Sequence, residues 1–464
     1  MALHYQTITQ VAALLEARQI SPVELTEEML QRIAQLDGRL KSYATLLPEQ
    51  ARAAARSAEE EISAGAYRGP LHGIPIAVKD LCCTRGVRTM GGTRVLADYV
   101  PDFDATVVAR LAAAGAVLLG KLNLTEGAMG GYHPDFEIPL NPWDARRWTG
   151  SSSSGSGVAT AAGLCFGSLG SDTGGSIRFP AAACGTVGLK PTWGRVSRYG
   201  VLDLAATLDH VGPLTRSAAD AGIVLQAIAG FDSNDPTSLP DPVGAMGAAI
   251  DRGVKGLRVG LDEEYARQDI DPEITAAVLA GVKVLEDLGA EIVPVKLPDM
   301  DPYVAAWFVL CAAEAVVAHG ATYPSRRHDY GPWLQGILDK GAQVTGADYA
   351  RANHLRAACC GRLRHVFEPL DLLVCPTTAM PPHPVRPEQL YGSMPPDRPP
   401  SFQRFTVPFD FNGAPTLSLP CGRSSAGLPL SIQFVGKHLS EPLLCRVGHA
   451  YEQATPWQAL HPPV

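Results

Sequence analysis

From Trp148 to Ser171 the chain carries no charged residue for 24 positions. A run that long either spans a bilayer or lies inside a folded core. Composition separates the two readings. Ser151, Ser152, Ser153, Ser154 and Ser156 alternate with Gly150, Gly155 and Gly157, and hydroxyls at that density would go unsatisfied in lipid. We read the run as a buried interior segment and expect no transmembrane helix there. The core it needs is available, because the 464 residues are 46% hydrophobic and 19% charged, an ordinary globular balance.

Around this run, short apolar strands alternate with helices. Ser21-Pro22-Val23-Glu24 is a capping box with proline at the first helical position, followed by Leu25, Met29, Ile33 and Leu36 at helical spacing. Ala51–Ile62 reads as a second helix. Strands are expected at Ile74–Val78, Ala116–Leu119, Leu164–Leu169, Leu257–Leu261, Glu291–Val295, Asp371–Val374 and Leu417–Leu419. Asp104 should cap a helix ending at Ala114, and Pro272–Leu288 reads as the helix between two of the strands. Strands alternating with helices imply a single large α/β domain, its mixed β-sheet covered by helices on both faces. Residues 1–70 form an N-terminal helical region in this reading. Residues 232–256 and 376–408 are rich in Pro and Gly and read as long surface excursions, the second a candidate lid.

Charge and cysteine content exclude several classes. Lys plus Arg number 39 against 47 acids, a net charge of -8, without a basic run. A nucleic-acid binder advertises a basic face, so none is expected. Ten cysteines in 464 residues are too sparse for a disulfide scaffold, and neither Cys82-Cys83 nor Cys359-Cys360 has metal-site spacing. The opening MALHYQTITQ lacks the basic start and apolar core of a signal peptide. A reducing cytoplasm is the expected compartment, with no membrane partner, no metal and no cofactor.

Three segments could carry chemistry. In Gly73-Ile74-Pro75-Ile76-Ala77-Val78-Lys79-Asp80 a lysine ends an apolar strand. It is either a surface lysine at a strand end or a desolvated amine whose pKa is pushed down. The Ser/Gly run is either a linker or a place where backbones approach closely and several hydroxyls gather. A phosphate cradle lacks its lysine here. In Gly170-Ser171-Asp172-Thr173-Gly174-Gly175-Ser176-Ile177-Arg178-Phe179-Pro180 a serine follows two glycines after a strand. That arrangement suits an acyl-transfer nucleophile beside an oxyanion hole, or a plain Gly-Gly turn with a capping serine.

Together these segments resemble the amidase signature hydrolases. Ser152 lies 73 residues after Lys79, and Ser176 lies 24 after Ser152, in that family's order and spacing. The segments 120–126 and 141–144, and the run Ala183-Cys184-Gly185-Thr186-Val187-Gly188-Leu189-Lys190-Pro191-Thr192, fit as well. The likeness is strong over residues 5–230, with a signature core at 71–230, and it weakens over a variable region, 231–464. It implies a Ser–cis-Ser–Lys triad: Ser176 the nucleophile, Ser152 the bridging serine on a cis peptide, Lys79 the base. Backbone N–H groups at Thr173, Gly174, Gly175 and Ser176 would receive the oxyanion, and Asp172 and Arg178 would brace the loop as a pair. Ser151 and Ser153 flank the bridging serine as supporting residues. Ser151 stands where the family usually has a second glycine.

The resemblance implies hydrolysis of a linear amide-type C–N bond in an amide, anilide or carbamate. Met129, Gly130, Gly131, Tyr132 and Phe179 are the candidate substrate-binding residues. The aromatic helix 303–317 (with Trp307 and Phe308) and the stretch 402–411 lie where specificity should reside. Arg178, occupied by Asp172, leaves no obvious partner for a carboxylate-bearing substrate. The expected partner is a small uncharged molecule, and the chain a monomer or homodimer. Two alternatives stand beside this reading. The segment 194–200 resembles the amidase component of a tRNA-dependent amidotransferase, although Phe179 sits where those proteins commonly carry glutamine. The other is a non-catalytic binding protein on the same fold.

Overall fold

The computed structural model describes residues 2–393 and 403–464. Among the described residues eleven strands form one sheet. In chain order they begin with β1 (Tyr43–Leu46), β2 (Pro75–Lys79), β3 (Val117–Leu122), β4 (Gly167–Asp172), β5 (Val187–Lys190) and β6 (His210–Thr215). They continue with β7 (Arg258–Leu261), β8 (Glu291–Pro294), β9 (Leu372–Pro376), β10 (Thr416–Arg423) and β11 (Pro429–Gly436). The order across the sheet is β1-β3-β2-β4-β6-β5-β10-β11-β9-β7-β8. Pairings β2–β3, β2–β4, β7–β8 and β7–β9 are parallel and the others antiparallel, so the sheet is mixed. Every residue of β2, β4, β5, β6, β9 and β11 is buried, as strands covered on both faces must be.

The Ser21 capping box opens the helix Pro22–Leu40, with the Ser21 side chain accepting from the Glu24 N–H. Other local readings need correction. The helix near Asp104 runs Thr106–Ala113 with Ala105 at its cap, because the Asp104 carboxylate instead accepts the Arg85 N–H at 2.7 Å. The third strand lies at Gly167–Asp172, three residues beyond the expected Leu164–Leu169. Leu164, Cys165 and Phe166 are fully buried in the turn before it, so their apolar character reflects core anchoring rather than strand pairing. The strand itself, Gly-Ser-Leu-Gly-Ser-Asp, has little strand propensity and is held by its neighbours.

Those neighbours explain the Ser/Gly run. Residues 154–161 form a wholly buried helix, Ser154–Ala161, lying on β4. Ser156 Oγ donates to the Leu169 carbonyl at 3.0 Å, and the Thr160 and Ser168 hydroxyls meet at 2.8 Å. A Cβ at Gly155 would lie 2.5 Å from the Ser42 carbonyl oxygen, so only glycine permits that approach. The uncharged run is core, stitched to the sheet by its own hydroxyls.

Among the described residues one helix, Asp301–Ala318, is long and apolar enough to cross a membrane. It packs against the helices Pro332–Gly341 and Gly346–Phe367 and buries Trp307, Leu310 and Cys311. Part of the Pro-rich excursion is docked rather than free. The His383 carbonyl accepts the Trp148 backbone N–H at 2.9 Å, and the two rings stack with centroids 5.2 Å apart. Pro395, Pro396 and Phe402 lie outside the described residues.

Candidate active site

Parallel neighbours end on the same side of a sheet, and β2 and β4 are parallel neighbours. Lys79, the last residue of β2, therefore comes beside Ser171 near the end of β4. Lys79 Nζ lies 2.8 Å from Ser171 Oγ and 2.7 Å from Ser152 Oγ, and it is fully buried. Ser152 enters from the turn before the helix Ser154–Ala161 and follows a cis peptide bond after Ser151. Ser153 holds that turn to β4, donating to the Ser171 carbonyl at 3.1 Å and accepting the Ser171 N–H at 3.2 Å.

Burial without a carboxylate partner at hydrogen-bond distance governs Lys79. Desolvation pushes its pKa down to about 7, only partly opposed by the neighbouring Cys82, Asp172 and Asp209. The amine is therefore largely neutral in mildly alkaline solution. Neutral, it can donate to Ser171 while its lone pair receives the Ser152 proton. The desolvated-amine reading of the strand-end lysine fits this environment, and the surface-lysine reading does not.

Beyond β4 the loop 173–177 leads into the buried helix Arg178–Cys184. Arg178 has more partners than Asp172 alone. Its guanidinium donates to Asp172 at 2.9 and 3.0 Å, to Asp410 at 2.7 Å, to the Thr406 carbonyl at 3.0 Å and to Gln433 at 3.2 Å. Asp172 also accepts the N–H groups of Gly175 at 2.6 Å and Ile177 at 3.0 Å. Burial works against its ionisation, but Arg178 overrides this and holds the carboxyl well below the usual range. Asp410, also bonded to Arg178 but facing Asp172, is driven the other way by burial.

Ser176 is half-buried and opens onto a narrow cleft. Ser151, Thr173, Gly174 and Phe179 line it from the signature segment, and Met129 and Gly130 from the loop after β3. Ala128, Leu204, Trp307 and Gln403 complete the described wall, which contains no charged side chain. Gly131 and Tyr132 are not among these residues. Gly131 packs against the Trp333 ring, and buried Tyr132 donates its N–H to the Leu390 carbonyl at 2.9 Å. Phe308, next to Trp307, faces away and lies under Lys340 at 5.5 Å.

The four N–H groups expected to receive an oxyanion are not equivalent. Gly175's is already given to Asp172. Those of Thr173, Gly174 and Ser176 have no acceptor among the described residues. The residues that sequence reasoning missed are Ser171, Asp209, Thr406 and Asp410. Asp209, pushed up to about 6 by burial, accepts from the Thr173 hydroxyl at 2.5 Å. Ser171 lies within the segment 170–180 and could have been noticed from alternation in β4; Thr406 and Asp410 lie inside the stretch 402–411, where nothing local announces their contacts with the 173–178 loop, and Asp209 carries no local signal.

A mixed sheet with helices on both faces makes this an α/β protein, with the Lys79–Ser152 contact at the end of β2 and Ser176 on an uncharged cleft. The chain belongs to the amidase family: the family model described as Amidase matches residues 24–445. It is 47% identical over 458 residues to the Mycobacterium tuberculosis protein named "Putative amidase AmiD", covering 98% of this chain and 96% of that one. It is 39% identical to a glutamyl-tRNA(Gln) amidotransferase subunit from Chloroflexus aurantiacus, covering 99% of each. Among solved structures, a bacterial aryl acylamidase of the amidase signature family superposes with a TM-score of 0.89 at 26% identity, covering 99% of this chain and 98% of that one. The protein is an amide-hydrolysing enzyme.

Proposed function

We propose that the enzyme hydrolyses an uncharged linear amide, anilide or carbamate through an acyl-enzyme on Ser176. The observation that carries this reading is the buried Lys79 amine, 2.7 Å from Ser152 Oγ and held near neutrality. Neutral Lys79 takes the Ser152 proton as Ser152 takes that of Ser176, and Ser176 Oγ bonds to the substrate carbonyl carbon. The carbonyl π pair moves to oxygen, where backbone N–H groups receive it. The tetrahedral centre then collapses, the C–N bond breaks, and the amine leaves with the proton returned through the two serines. Water adds to the acyl carbon by the same proton route, the ester C–O bond breaks, and Ser176 regains its proton as the acid departs.

The cleft supports the substrate class. A charged acyl group would lose its hydration there without meeting a counter-charge among the described residues. Purified protein should release aniline from uncharged anilides in a burst of about one equivalent per enzyme, and a fluorophosphonate should label Ser176. Absence of hydrolysis by the isolated chain, over anilides, alkyl amides, carbamates and ureas, would favour the amidotransferase reading that the Chloroflexus relative raises.

A further inference from the structure

We propose that Trp307 is a positioning residue for the oxyanion site, aiming the Gly174 N–H at the reacting carbonyl. The inference rests on the nucleophile assigned to Ser176 above and adds a residue from the variable region to the catalytic geometry. A trans peptide is planar, with its C=O and N–H pointing to opposite sides. Whatever holds the carbonyl therefore aims the N–H of the following residue.

The three peptides from Thr173 to Ser176 are each held in this way. The Thr173 carbonyl accepts the Trp307 indole N–H at 2.8 Å. The Gly174 carbonyl accepts the Thr406 hydroxyl at 2.7 Å. The Gly175 carbonyl accepts the Phe179 N–H at 2.7 Å. In the middle peptide the opposite end is also engaged, since the Gly175 N–H donates to Asp172 at 2.6 Å. The outer two peptides have their carbonyls held and the N–H groups of Gly174 and Ser176 left over. Both residues line the cleft. Two such donors are the usual complement for a tetrahedral oxyanion.

Of the two, only the Gly174 donor is aimed by a side chain, and that side chain comes from the helix Asp301–Ala318, more than a hundred residues away in sequence. Trp307 is also pressed on the glycine itself: a Cβ at position 174 would lie 2.6 Å from the indole Cζ2. The ring has three duties, because it also walls the cleft. A substrate group packed against the indole thus pushes on the group that orients the donor, which couples the fit of the substrate to stabilisation of the transition state.

Trp307→Phe removes the indole N–H and keeps an aromatic wall. On an uncharged anilide, kcat should fall about 10- to 100-fold, less than the roughly 10²- to 10³-fold of deleting a donor outright, with KM within about 3-fold of the parent value. A trifluoromethyl ketone analogue, which adds to Ser176 as a tetrahedral alkoxide, should lose affinity in the same proportion. The matching carbinol, which fills the cleft without an oxyanion, should bind as before. Should the phenylalanine variant fold poorly, 3-benzothienylalanine at position 307 replaces N–H by sulfur at nearly constant shape and should give the same split. A raised KM with unchanged kcat would reduce Trp307 to a pocket wall, and equal losses for ketone and carbinol would do the same; either overturns the proposal. A parent enzyme whose Ser176 resists fluorophosphonate would refute the nucleophile assignment itself, and the inference with it.

Discussion

Replacing Lys79 with methionine should abolish activity and give a stability advantage that depends on pH in a calculable way. In the parent the amine titrates near 7 in the fold, against an ordinary 10.5 in the open chain. Between those values the unfolded state binds more protons than the folded state, so parent stability rises with pH by about 1.4 kcal/mol per pH unit. The burden of burying the lysine is full below about pH 7, roughly 5 kcal/mol by the same conversion, and disappears above 10.5. Methionine has no proton to bind and lacks this slope. Its variant also leaves the Ser152 and Ser171 hydroxyls without their lysine partner, an offset of about 1 kcal/mol each that does not change with pH.

The signature is therefore a slope. The stability difference, variant minus parent, should shrink by about 4 kcal/mol from pH 7 to pH 10. The nearby Cys82 thiol, pushed up to about 12 by burial, and the Asp209 carboxyl, near 6, titrate outside that window. Urea midpoints for the two proteins at pH 7, 8, 9 and 10 measure it, with equal m-values as the control. Parallel stability curves would refute the reasoning. They would show a lysine that keeps its proton in the fold, unable to serve as a base.

The same titration sets the rate profile: kcat/KM should fall about tenfold per pH unit below 7 and level off above it, and a rate that stayed flat down to pH 5 would contradict this. Ser176→Ala and Ser152→Ala should each cost at least about 10³-fold in kcat, and the double variant little more, because residues acting as a unit are non-additive. Arg178→Met should destabilise the protein by about 3–5 kcal/mol by leaving Asp172 and Asp410 buried without their shared cation; an unchanged thermal midpoint would count against the bracing role. In competition assays, uncharged anilides and carbamates should outrun malonamate and acetamide, and the reverse order would show that the apolar walls do not set specificity.

The fold class was legible because the strand–helix alternation and a 24-residue uncharged run leave few other arrangements. Boundaries were less so. Leu164–Phe166 has the composition of a strand and forms a turn, whereas the Gly/Ser strand beside it is held by a helix that no local pattern announces. Lys79, Ser152 and Ser176 could be named only through the resemblance to the amidase signature hydrolases, and no sequence pattern shows that Asp172 takes the Gly175 N–H, leaving unequal donors in one short loop. Trp307 and Phe308 are adjacent aromatic residues with equal claims in sequence. Only the packing of their helix turns one into the cleft and the other under Lys340.

Lys79 and Arg178 are both fully buried, and their environments drive them in opposite directions. Arg178 bonds both Asp172 and Asp410, and chiefly the Asp172 charge holds its proton against desolvation, so it stays protonated and fixes the loop. Lys79 meets only hydroxyls at hydrogen-bond distance among the described residues, so desolvation wins and the amine loses its proton near neutrality. Equal burial thus produces opposite shifts, decided by what each cation touches. Asp172 is the hinge of this division. It lies close enough to raise the Lys79 pKa, yet its oxygens are engaged by Arg178 and by two backbone N–H groups. A carboxylate free to turn toward Lys79 would hold the amine protonated. By pairing with Asp172, Arg178 keeps the loop in place and leaves Lys79 without a partner that would keep its proton on.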